Sequence, residues 1–154
     1  MKPATYQTLA CLVIAFGAYS SLGTSCLSAE AAAELPAQTL TLTSQSSVSR
    51  TFRVTSNGLA TISVEFDVAA PKGTEVRIEW TADADFSSTN SGALLLTAGS
   101  SLPARRELCQ GCTRVTVVAS TLSSTADVSF KAFATAEAGC NPSDPIYLKF
   151  EAEE

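Results

Sequence analysis

The sequence predicts an all-β protein built as an antiparallel β-sandwich of about seven to eight strands, preceded by an N-terminal signal peptide. Three features point to the fold. Apolar and polar residues alternate with period two over most of the chain after residue 36. Turn-forming clusters interrupt that alternation at "SNG" 56–58, "PKG" 71–73, "SSTNSG" 87–92 and "NPSDP" 141–145. No long helix-period segment appears among them. Strands with one apolar face bury it against a second sheet, so two antiparallel sheets packed face to face are expected. A jelly roll or a partly closed barrel is the alternative.

Residues 1–29 read as the signal peptide. Lys2 is the only charge before Glu30, and "LACLVIAFGA", 9–18, is its apolar middle. Ala29 and Ala31 are small residues suited to a cut ahead of Ala32, and Ala18 with Ser20 offers an earlier one. Export to a secreted, periplasmic or cell-surface location follows. Membrane attachment enters only through an uncleaved leader or a lipid on Cys26, and "LGTSC" sets Leu22 one step out of register for lipidation. "EAAAELP", 30–36, is expected as a linker, and 37–154 as one domain.

Eight strand candidates follow in order. Leu40 and Leu42 mark the first, Phe52 and Val54 the second. "ATISVEFDVA" is the clearest, with Ile62, Val64, Phe66 and Val68 on one face and Thr61, Ser63, Glu65 and Asp67 on the other. Val76, Ile78 and Trp80 define the next inward series, and "GALLLTA" is a short apolar run. Val115 and Val117, then Val128 and Phe130, then Ile146, Leu148 and Phe150 complete the set. Asn57-Gly58 is a strong tight-turn signal, so a hairpin pairing 48–55 with 59–69 is expected.

The chemistry is bounded first by a missing residue type. The chain has no histidine, which removes Ser-His-Asp, Cys-His and imidazole-zinc machinery. Glu65, Asp67, Glu75 and Glu79 could supply a carboxylate pair for glycoside chemistry, but the polar faces of alternating strands produce the same pattern. A non-enzymatic protein without a cofactor is expected. From Glu30 onward nine basic residues face fifteen acidic ones, a net charge of −6. That sign argues against nucleic acid, and Arg105-Arg106 is the one adjacent basic pair.

"ELCQGCTRVTVV", 107–118, sets Cys109 and Cys112 three apart. With Cys140 they leave three cysteines in an exported chain, where disulfides persist. Their pairing is open, and closing Cys140 onto Cys109 or Cys112 would tie two loops together. A redox pair would need a helix N-terminus after the first cysteine, whereas "TRVTVV" reads as a strand. A metal site at Cys109 and Cys112 lacks a full ligand set.

"TADADFSSTNSG", 81–92, offers Asp83, Asp85 and Asn90 as oxygen ligands, although Ser88 and Leu94 break the calcium-loop pattern. Asp85, Phe86, Asn90 and Tyr147 are the candidate ligand-binding residues, the two aromatics for stacking on sugar rings. The loops 81–92 and 103–113 are the expected recognition surface for an unknown glycan or protein. A structural or assembly subunit of a surface layer, fibre or coat, joined through sheet edges and an odd cysteine, is the alternative function.

Overall fold

The computed structural model describes residues 29–84, 90–100, 105–138 and 145–153. The predicted leader with Cys26, and also Asp85, Phe86 and Cys140, lie outside the described residues. Ten strands are formed: β1 Ala29–Glu34, β2 Gln38–Leu42, β3 Ser47–Ser56, β4 Leu59–Ala69, β5 Glu75–Ala84, β6 Asn90–Thr97, β7 Arg106–Gln110, β8 Cys112–Thr121, β9 Ala126–Ala138 and β10 Leu148–Glu153. They make two five-stranded antiparallel sheets. One runs β1-β9-β4-β7, with β2 also paired to β9, and the other runs β10-β3-β8-β5-β6. All eight predicted strands are present.

Pairing between strands follows a nested pattern. β5 pairs β6, β4 pairs β7, β3 pairs β8 and β2 pairs β9. This is a long hairpin folded over on itself, whose pairs divide between two sheets packed face to face. The result, among the described residues, is a sandwich-like all-β fold of two antiparallel sheets without a closed barrel, with β1 and β10 added at one side.

Nesting overturns the expected 48–55/59–69 hairpin. β3 and β4 lie in different sheets, so Asn57-Gly58 carries the chain across the molecule. Gly58 does not adopt positive φ. It is required for space, since a Cβ there would stand 2.6 Å from the Glu137 carbonyl oxygen.

The core forms from the inward phase of each strand. Ile62, Val64 and Phe66 of β4 meet Val76 and Ile78 of β5, Val115 and Val117 of β8 and Val128 and Phe130 of β9 in one buried cluster. Each such aliphatic side chain contributes ~1.5–3 kcal/mol by leaving water. Phe66 and Phe130 meet edge to face at 5.6 Å. Trp80, predicted inward, is only partly buried, and its ring lies over Gly92 of β6.

Two elements were not expected as strands. Segment 30–36, read as a linker, supplies most of β1, which pairs residue for residue from Ala29↔Ala138 to Glu34↔Phe133. Loop 103–113 contains β7. Its register against β4 shifts between Ile62 and Ser63, so Leu108 and Cys109 are both buried at adjacent positions. That bulge hides the alternation.

Candidate functional site

The connections β3–β4, β5–β6, β7–β8 and β9–β10 all emerge at the same end of the two sheets, because alternate connections of a nested hairpin return to one end. The described ligand and cysteine candidates lie at this end. Asp83 is the penultimate residue of β5, Cys109 and Cys112 flank the β7–β8 corner, and Tyr147 precedes β10. Asn90 begins β6 at the same end. Loop 103–113 does not act as one unit, since Arg106–Gln110 form β7, whose Arg106 pairs with Val64 in the middle of β4.

"CQGC" is the corner where the chain passes from one sheet to the other. Gly111 adopts a φ of 71°, a region that glycine enters without a Cβ penalty, and its N–H donates to the Ala60 carbonyl at 2.6 Å. Cys109 and Cys112 are joined as a disulfide with Cα atoms 6.0 Å apart, and both are buried. Among the three cysteines whose pairing the sequence left open, these two pair with one another, and Cys140 lies outside the described residues. Redox chemistry needs an accessible, activated thiolate. Here the sulfurs are enclosed and a strand follows them. Among the described residues no group of three His, Cys, Asp or Glu converges for a metal, around Asp83 or elsewhere.

A second device organises the same end. The Asn57 side chain donates from Nδ2 to the Pro145 carbonyl at 3.0 Å, and its Oδ1 accepts the Tyr147 N–H at 2.7 Å. One amide therefore fastens the β3–β4 crossing to the approach of β10. Tyr147 remains 49% exposed beside it.

Between these two devices lies a cleft of about 480 Å³. It opens because β3 and β8 part company. Their pairing ends at Arg53↔Arg114, after which β3 continues with β10 to Ser56 while β8 curls into the disulfide corner. Arg53 to Ser56 form one wall, Asp83 and Cys112 to Arg114 the other, and Gly58 to Ala60 with Gly111 close the end. A Leu59 side chain, 50% exposed, stands near Gly111.

Charge in the cleft is balanced. Arg53 and Arg114 face one another on adjacent strands, and Glu153 of β10 bridges them at 2.7 and 2.9 Å. Asp83 is the cross-strand neighbour of Arg114. Nearby on the outer face of β10, the hydrogen bond from Lys149 to Glu151, with the carboxylate's charge, raises the ammonium above its ordinary pKa. The site thus presents guanidinium donors, a carboxylate acceptor and backbone beside a small apolar patch. It can hold a polar ligand by hydrogen bonds, and the four carboxylates weighed for glycoside chemistry do not meet in it. Glu65 and Asp67 lie on one sheet and Glu75 and Glu79 on the other.

Sequence reasoning missed Arg53, Asn57, Leu59 and Arg114. Leu59 carried a readable signal, an apolar residue on the outward phase of β4. Asn57 did not, since its role depends on a partner 88 residues away in the chain. No protein-family model matches this sequence, and no curated protein matches it.

Proposed function

We propose that this chain is an exported, non-enzymatic recognition module that binds a glycan through the corner end of its two-sheet, sandwich-like fold. The single observation that carries this reading is the cleft opened by the parting of β3 and β8. Its volume of about 480 Å³ lies within the ~300–1,000 Å³ of small-molecule sites. Planar guanidinium and carboxylate groups suit sugar hydroxyls, and the exposed Tyr147 beside the cleft supplies a stacking face. The nested strand order resembles that of a jelly roll, a fold that includes lectin domains, which is support by analogy of fold.

Two further features support export. The apolar, nearly uncharged leader directs it, and a buried disulfide suits an oxidising compartment. The route carries the protein to the cell surface, the periplasm or the medium.

Binding of neutral and acidic oligosaccharides, followed by titration calorimetry, tests the proposal. Arg114→Ala removes a charged donor and is expected to weaken binding by about tenfold, ~1.4 kcal/mol. Asp83→Asn is expected to change the preference between neutral and acidic sugars. Affinity unchanged in both variants, or no binding across the panel, overturns the glycan reading. The runner-up, an assembly subunit of a layer, fibre or coat, is favoured by one observation, the uncharged edge strand β6.

A further inference from the structure

Every sheet edge presents unpaired backbone groups and is a ready partner for another strand unless charge or cover protects it. Here β1, β7 and β10 each carry such charges: Glu30 and Glu34, Arg106 and Glu107, and Lys149, Glu151 and Glu153. β2 is uncharged but only five residues long. β6, "NSGALLLT", is eight residues long with neither charge nor proline. Among the described residues it pairs with β5 alone.

Its exposed backbone groups can be assigned. Ala98, just beyond the strand, donates to the Thr74 carbonyl at 2.8 Å and accepts from the Gly73 N–H at 3.1 Å, so its backbone points toward β5. Antiparallel ladders alternate in this respect. Gly92, Leu94 and Leu96 therefore bond inward to β5, and the backbone groups of Ser91, Ala93, Leu95 and Thr97 point away from the sheet, where the Thr97 carbonyl already accepts from the Ser100 N–H at 3.1 Å and hydroxyl at 2.6 Å. Leu95 also places its side chain on the outer face, 57% exposed. Among the described residues, backbone and apolar side chain are unpartnered at the same residue.

We infer that β6 pairs antiparallel with β6 of a second copy of this chain, joining two five-stranded sheets into one continuous sheet. A two-fold axis at Leu94 sets Ala93 opposite Leu95 of the second copy, and Ser91 opposite Thr97. Four such pairs could exchange eight bonds, and with the Thr97 carbonyl of each copy held by Ser100 about six inter-chain hydrogen bonds remain. A second copy is the occupant that the strand's own composition favours. The pairing brings no charge against a like charge, covers Leu95 with Ala93 and Leu95 of the other copy, and needs no residue outside Ser91–Thr97. The other long edges would set their charges against this apolar strand. The inference is independent of the cleft at the corner end.

Sedimentation velocity of the mature chain over a concentration series tests it, together with amide hydrogen exchange at high and low concentration. A dimer is expected that Leu95→Lys converts to monomer, with the far-ultraviolet circular dichroism unchanged. Exchange at Ala93, Leu95 and Thr97 is expected to slow at least tenfold in the concentrated sample. This readout needs no variant and stands if Leu95→Lys does not fold. A wild-type chain that remains monomeric, a dimer that Leu95→Lys leaves intact, or unchanged exchange at those amides overturns the inference.

Discussion

Asn57 and Gly58 illustrate how a residue pair acquires its role from the fold. The dipeptide suits a tight hairpin, but its two neighbouring strands belong to different sheets, so other properties of the same residues are used. Asn57 supplies both a donor and an acceptor to the strand entering on the far side, and Gly58 supplies the absence of a Cβ against Glu137. Asn57→Ala is expected to cost about 1–2 kcal/mol in urea unfolding, with faster amide exchange confined to Tyr147 and Leu148. Gly58→Ala is expected to cost more, about 2–3 kcal/mol, because backbone must yield instead of a side chain. The cysteines act at the same scale. For a loop this short the chain-entropy model gives about 2 kcal/mol, so Cys109→Ala with Cys112→Ala is expected to lower stability by that amount and leave the fold intact by circular dichroism.

Strands differ in how openly their sequences declare them. β4 and β5 alternate large apolar residues with charges, and every inward position before Trp80 is buried as the pattern requires. β1 declares itself poorly, because "AEAAAE" offers no β-branched or aromatic residue and its strand exists through pairing with β9. The end of β9 is hidden for the same reason. Its inward residues shrink from Val128 and Phe130 to Ala132, Ala134 and Ala136 toward the corner end, where the buried disulfide and Ala60 lie. β7 is obscured by its bulge. A smaller departure occurs at β6, where Gly92 makes room for the ring of Trp80, the single tryptophan. Gly92→Ala is expected to displace that ring toward solvent, read as a red shift in tryptophan emission, whereas unchanged emission would place the ring elsewhere.

Across the whole molecule, period-two alternation showed that there were two sheets but not which strands they shared. The nested order joins residues such as Gln38 and Phe130, distant in sequence, and no local signal encodes such a partnership. The candidate site was partly legible on the same terms. Asp83 was singled out as an oxygen ligand and Tyr147 for stacking, each from its residue type, but Arg53, Leu59 and Arg114 become neighbours only when β3 and β8 separate near the corner. Topology therefore makes the cleft: β8 must leave its sheet to reach β7, β3 has β10 to stay with, and the gap between them is left open. Two guanidiniums and Asp83 line it, and Glu153 outside it pairs with both arginines, a balance that favours hydrogen bonding over capture of a strong anion or cation. In amide chemical-shift mapping of the isotope-labelled protein during titration with a bound oligosaccharide, shifts are expected to cluster at Arg53 to Ala60, Asp83, Gly111 to Arg114 and Tyr147. Shifts gathered instead on the outer sheet faces or at the far end, around Leu122, would contradict binding in the cleft.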